Sequence, residues 1–108
     1  MTFIRKKSST YKWPVKVSYP VDDGRFETDT FEAVFKRIGR SDFQRLADSG
    51  DTELIEAVLV GWDKVTDEAG KEIAFNAREL RDLIDDPCFT KGVIRAYLNS
   101  LDDEKKST

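Results

Sequence analysis

The chain has 108 residues, of which 39% are apolar and 36% are charged, and its formal net charge is −3. This length fits one domain with a modest core, and 11% aromatic residues are too many for a wholly disordered chain. The small negative charge does not indicate a nucleic-acid-binding protein. Histidine is absent and Cys88 is the only cysteine, which excludes an intramolecular disulfide, histidine-based catalysis and the usual zinc sites.

The N-terminal segment, residues 1–10, is basic and rich in serine and threonine, and we expect a flexible arm there. It lacks the apolar core of a secretory signal. The chain contains no apolar run of 18 residues, so we predict no membrane span. A cytoplasmic protein is the simplest interpretation.

A β-hairpin is predicted next. Apolar residues occupy alternate positions, which is typical of a strand with one buried face: Trp13, Val15, Val17, Tyr19 and Val21. Prolines lie between them and favour an edge strand, because proline cannot donate to a β-ladder. The sequence Asp22-Asp23-Gly24 predicts a turn, since glycine readily adopts positive φ.

The segment 25–38 fits two patterns. Its first half alternates as a strand would, whereas Phe31, Val34, Phe35 and Ile38 have helical spacing. We favour a strand, because the preceding strand and turn require a partner, and threonine, phenylalanine and valine suit that role. The far end of so long a hairpin would project beyond the core.

About four short helices follow. Ser41 with Gln44 and Asn76 with Glu79 have the spacing of capping boxes, and Asp51 or Thr52 could cap the helix between them. That second helix is predicted to place Leu54, Ile55, Val58 and Leu59 on one face. The predicted fold is therefore α+β, with an N-terminal antiparallel β-hairpin packed on, or projecting from, these helices.

The last helix is predicted to begin at Asp86-Pro87, with proline at its favoured first position. Phe89, Val93, Ile94, Tyr97, Leu98 and Leu101 form its apolar stripe. A single domain over residues 11–101 and a flexible tail over residues 102–108 complete the predicted organisation.

The sequence offers little for catalysis. Asp86 is more simply a helix cap than a metal ligand, and Cys88 is more simply a small packed residue than a nucleophile. We therefore predict no catalytic residue, no cofactor-binding residue, no metal site and no enzymatic activity. The basic group Lys36, Arg37 and Arg40 is the one candidate nucleic-acid patch, but its signal is weak. The solvent-exposed end of a helix or strand explains it better.

Four segments between residues 11 and 101 form a distinctive combination. They are the hairpin segments Trp13-Pro14-Val15-Lys16-Val17 and Asp23-Gly24-Arg25-Phe26, the run Phe31-Glu32-Ala33-Val34-Phe35-Lys36-Arg37-Ile38, the joint Gly61-Trp62-Asp63-Lys64-Val65 with Asp67-Glu68-Ala69-Gly70, and Asp86-Pro87 leading to Ala96-Tyr97-Leu98. In this combination the chain resembles the tail assembly chaperones of long-tailed, siphovirus-type bacteriophages and prophages.

The resemblance implies a non-enzymatic protein that binds the tape measure protein, a long and largely helical rod, and keeps it soluble during tail assembly. It also implies tail-tube subunits as partners, a location in the host bacterial cytoplasm and absence from the finished virion. We further expect a homo-oligomer, since a long hairpin leaves strand edges to cover.

Five apolar residues are candidates for partner binding. They are Phe31, Phe35, Leu59, Trp62 and Tyr97. Each is more simply explained as a core residue, and sequence alone does not separate inward from outward faces. The alternative function is a small nucleic-acid-associated or regulatory adaptor that uses the basic N-terminal segment and Lys36 to Arg40.

Overall fold

The computed structural model describes residues 10–102. The flexible arm expected over residues 1–10 and the tail expected over 102–108 therefore lie outside the described residues, apart from positions 10 and 102. The strands are β1 (Thr10–Val21), β2 (Arg25–Lys36) and β3 (Leu59–Asp63). The helices are α1 (Arg40–Ser49), α2 (Asp51–Val58), α3 (Ala77–Ile84) and α4 (Pro87–Ser100). This is the α+β fold that the sequence predicts.

The hairpin of β1 and β2 is antiparallel and in register along its whole length, from the pair Thr10 and Lys36 to the pair Val21 and Arg25. Asp23 and Gly24 turn the chain with φ angles of 66° and 68°, which aspartate tolerates better than most residues and glycine accepts freely. The strand interpretation of residues 25–38 is confirmed as far as Lys36.

The sheet has a third strand that the sequence analysis missed. Its order is β1-β2-β3, and β3 pairs antiparallel with β2. Leu59, predicted on the face of the second helix, instead opens β3 opposite Phe35. The register shifts between Val34 and Phe35, and such a bulge leaves an extra residue that hides the period-two pattern.

The core lies between one face of this sheet and the helices. Odd-numbered residues of β1 and β2 form this packed face, and even-numbered residues form the open face. The buried apolar residues are Val15, Phe31, Ala33, Phe35, Leu54, Ile55, Val58, Leu59, Leu80, Phe89, Val93, Ala96 and Tyr97. Aromatic pairs join the two layers, with ring centroids 5.7 Å apart for Phe31 and Phe89 and 5.2 Å apart for Phe35 and Tyr97.

Two of the predicted helix caps are confirmed and two are wrong. Asn76 accepts a hydrogen bond from the Glu79 N–H at 2.9 Å, and Asp86 accepts one from the Cys88 N–H at 2.9 Å. The capping positions of α1 and α2 are instead Gly39 and Gly50, with no side-chain cap. The predicted caps Ser41, Asp51 and Thr52 lie inside helices, because these helices begin one or two residues earlier than the polar pattern indicates.

The distal end of the hairpin extends beyond the helices. Residues 22–30 are all exposed, and the described part of the chain measures 50 × 35 × 28 Å along its principal axes. A short return segment also forms after β3, where Thr66 and Glu72 make an isolated antiparallel bridge. The turn expected at residues 67–70 closes it through the Gly70 N–H, which donates to the Asp67 carbonyl at 3.0 Å.

Candidate functional site: a groove between β1 and α4

Four of the five partner-binding candidates lie in the core. Phe31 is 7% exposed, and Phe35, Leu59 and Tyr97 are at most 2% exposed. Burial also raises the pKa of the Tyr97 phenol above its ordinary value of 10.0, because a phenolate is poorly solvated there. These four side chains belong to the hydrophobic core, and a role for them in partner binding stays a prediction.

Trp62 is the exception, because it is only partly buried. Its indole Nε1 donates a hydrogen bond to the Ile73 carbonyl at 2.8 Å. Its ring packs edge-on against that of Phe75, with ring centroids 4.8 Å apart. Trp62 thus fastens the segment between β3 and α3 to the sheet. A tryptophan with a satisfied N–H and a packed ring fits a structural anchor, and its role in partner binding also stays a prediction.

A concave surface with partly apolar lining lies between β1 and α4, with a volume of about 680 Å³. We call it the β1–α4 groove. Its hairpin side is formed by Trp13, Pro14, Lys16, Ser18, Phe26 and Thr28. Its helix side is formed by Cys88, Lys91, Gly92, Arg95, Ala96 and Asn99.

Close packing of α4 on β1 creates this groove. At Gly92 an added Cβ would lie 2.5 Å from the carbonyl oxygen of Lys16, which is closer than any side chain tolerates. At the other end of the helix, Tyr11 and Ser100 share a hydrogen bond of 2.8 Å between their hydroxyl groups. The helix is therefore fixed to the strand near its middle and near its C-terminal end.

The lining of the groove is cationic and partly apolar. Lys16, Lys91 and Arg95 contribute positive charge, and among the described residues no carboxylate side chain belongs to the lining. Within residues 10–102 none of these three side chains forms an ion pair. Phe26 adds an aromatic ring that is 69% exposed, the most exposed large apolar side chain in this part of the protein.

The part of the open face beside β3 differs from the groove, because two cationic side chains there are paired with carboxylates. Lys12 lies 3.7 Å from Asp63, and Lys64 lies 3.3 Å from Glu32. Exposed pairs of this kind contribute at most about 1 kcal/mol each. In the groove, by contrast, unpaired positive charge lies beside the exposed ring of Phe26.

The free edge of β1 is poorly suited to strand addition. Pro14 and Pro20 both lie at even-numbered positions of β1, so their backbone nitrogens point to the same side of the strand. If that side faced β2, each proline would remove a hydrogen bond from the ladder. Their nitrogens therefore face the free edge and leave it without donors at two positions. Between them, the Lys16 carbonyl is covered by Gly92 of α4. A partner strand would therefore form only an interrupted ladder along this edge.

The sequence analysis did not single out Phe26, Lys91 or Arg95. Lys91 and Arg95 are four residues apart on α4 and exposed, so they share one helix face, but a solvated polar face has the same pattern. The basic group Lys36, Arg37 and Arg40 does not line the groove.

The described residues contain no group of three or more histidine, cysteine, aspartate or glutamate side chains placed to hold a metal ion. In the same part of the chain, no helix combines the length and the apolar character needed to cross a membrane. Comparison with protein-family models, curated proteins and solved structures gave no match to this chain.

Proposed function

We propose that the protein is a tail assembly chaperone that binds the tape measure protein of a long-tailed bacteriophage or prophage and keeps it soluble. It acts without covalent chemistry, in the cytoplasm of the bacterial host, and leaves before the virion is complete. Tail-tube subunits and further copies of the chain are additional proposed partners. The segments that resemble such chaperones support the assignment, together with a surface suited to reversible binding.

The observation that carries the proposal is the β1–α4 groove. It combines an exposed ring at Phe26 with the small residues Gly92 and Ala96 and unpaired positive charge. An apolar floor with a charged rim is the usual composition of a protein-binding surface. A chaperone for a helical rod needs such a surface, because it must cover apolar stripes on its partner and release them later.

Co-expression tests this proposal. A tape measure protein of a long-tailed bacteriophage is expressed alone, with this chain, or with an unrelated acidic domain of similar size. The proposal expects a severalfold larger soluble fraction of the long protein only when this chain is present, and co-purification of the two. An unchanged soluble fraction would contradict it.

A small nucleic-acid-associated adaptor is the second candidate, and the three cationic side chains of the groove favour it. Phosphate contacts would make binding fall steeply with salt, with a slope of log K against log salt of roughly −0.7 per contact for single strands. Capture of apolar surface would change little over the same range. Filter binding of a labelled oligonucleotide at several salt concentrations therefore separates the two functions.

A further inference from the structure

We propose that the β1–α4 groove binds one α-helical segment of its partner, and that this segment carries acidic side chains one helical turn apart. This inference rests on the proposed function, because it names the surface that binds the proposed partner and the chemistry of the partner segment. The shape of the groove, its charge and the blocked strand edge beside it support the proposal independently.

The shape of the groove fits a helix of about three turns. On its helix side the lining runs from Cys88 to Asn99, which spans roughly 16 Å at 1.5 Å per residue. On its strand side it runs from Trp13 to Ser18, again roughly 16 Å at about 3.3 Å per residue. An extended peptide added to β1 would find no backbone donor at Pro14 or Pro20 and a covered carbonyl acceptor at Lys16, so its ladder would be interrupted.

The charge of the groove selects an acidic segment. Lys91 and Arg95 lie one turn apart on α4, and Lys16 of β1 belongs to the same lining. A docked helix with glutamate or aspartate at positions i and i+4 would present its carboxylates at the same spacing. Complementary charge of this kind speeds association and rejects basic partners, while Phe26 and the small residues of α4 accept the apolar side of the helix.

A nucleic acid fits the surroundings less well. Next to Phe26 the hairpin ends in an acidic tip, where Asp22, Asp23 and Glu27 are exposed beside Arg25. A polyanion long enough to follow the groove would meet this tip and be repelled. A short acidic helix can stop before it.

The test uses fluorescence anisotropy with the full chain and three labelled 18-residue peptides. The first is a stapled amphipathic helix with leucine on one face and glutamate pairs at i and i+4 beside it. The second replaces each glutamate by lysine, and the third contains two central prolines that prevent a helix. We expect saturable binding of the first peptide and at least about tenfold weaker binding of the other two.

The variant pair K91E/R95E tests the location. We expect it to weaken binding of the acidic helix by about tenfold to a hundredfold. The matched control K71E/R78E makes the same change in net charge at two exposed positions outside the groove, and it should bind as the unmodified chain does. Circular dichroism melts verify that both variants remain folded.

The inference is overturned if the lysine or proline peptide binds as tightly as the acidic helix, if no peptide binds, or if both variants lose affinity equally. Displacement of the peptide by a short oligothymidine would assign the groove to nucleic acid instead. The proposed function fails separately, when the unmodified chain does not solubilise the long helical protein. If K91E/R95E still solubilises that protein fully, the chaperone function stands and the groove assignment falls.

Discussion

Gly92 of α4 lies against the carbonyl oxygen of Lys16 in β1 so closely that a Cβ at this position would be only 2.5 Å from that oxygen. This contact sets the distance between helix and strand, and hence the depth of the groove beside them. It also covers a carbonyl group on the free edge of β1. One glycine thus serves both the packing of the domain and the protection of its sheet.

Replacing Gly92 by alanine should therefore destabilise the protein. Alanine is favoured over glycine within a helix by about 1 kcal/mol, but overpacking against backbone costs typically about 1–3 kcal/mol. We expect a net loss of up to about 2 kcal/mol in the free energy of unfolding, measured by urea titration. Lys91→Ala in the same helix is the control and should change stability by less than about 0.5 kcal/mol; an equally stable Gly92→Ala protein would show that the contact relaxes freely.

Phe26 and Phe35 should respond in opposite ways to truncation. Phe35→Ala empties a fully buried site and should cost about 3–5 kcal/mol of stability. Phe26→Ala removes a ring that is 69% exposed and should leave the unfolding midpoint nearly unchanged while it weakens capture of the long helical partner. Pull-down yield and thermal melts measure the two effects. Full partner binding by a folded Phe26→Ala protein would remove this ring from the binding surface.

Trp62→Phe should loosen the segment between β3 and α3. The substitution keeps an aromatic ring but removes the donor to the part-buried Ile73 carbonyl, and loss of a typical hydrogen bond costs about 1 kcal/mol. Hydrogen exchange should accelerate in residues 65–75 and remain slow in α4. Val60→Thr, at an exposed neighbouring position, serves as the control. Unchanged protection of residues 65–75 would mean that the indole does not anchor this segment.

Alkaline pH should reveal the buried Tyr97. Burial is the main reason that its pKa is raised, so the folded state holds this proton more tightly than the unfolded state does. The resulting stability is fully present below about pH 10 and is lost as pH rises through the folded-state pKa. Urea unfolding at about pH 9 and about pH 11 should therefore show a steeper decline for the native sequence than for Tyr97→Phe. Equal declines would mean that ionisation of Tyr97 does not affect folding.

Pro20 should protect the projecting part of β1 from edge-to-edge association. Pro20→Thr restores a backbone N–H that faces outward and a residue with high strand propensity. We expect concentration-dependent self-association beyond that of the native chain, measured by sedimentation velocity. Ser18→Thr, on the same strand with its N–H retained throughout, is the control. A Pro20→Thr protein with unchanged sedimentation would show that other features guard this edge.

Local patterns predicted the hairpin and most of the helices. The alternation around Val15 and Val17 and the Asp-Gly turn reflect backbone preferences that act over a few residues, and the structure confirms both. The helical spacing of Phe31, Val34 and Phe35 competed with the strand pattern. Pairing with β1 decided the outcome, because a second strand satisfies the backbone groups of the first.

The elements that were missed depend on distant residues. β3 is five residues long, and its bulge beside Phe35 interrupts the alternation of apolar and polar residues that would have predicted a strand. The β1–α4 groove joins Lys16 to Lys91 and Arg95, which lie far apart in the chain, and each alone has the pattern of a solvated lysine or arginine. Phe35 and Phe26 are aromatic residues of the same strand, and the sequence does not distinguish them. Phe35 is buried and Phe26 exposed only because the helices cover one part of one face of the sheet.

Site-specific photo-crosslinking measures most directly whether the β1–α4 groove captures the helical partner. A benzophenone side chain is introduced at Arg95 in the groove or at Arg78 on α3, and each protein is irradiated after co-expression with the tape measure protein. Strong crosslinks from position 95 and few from position 78 are expected if the groove is the binding site. Crosslinks that are absent at position 95, or equally frequent at both positions, would contradict it.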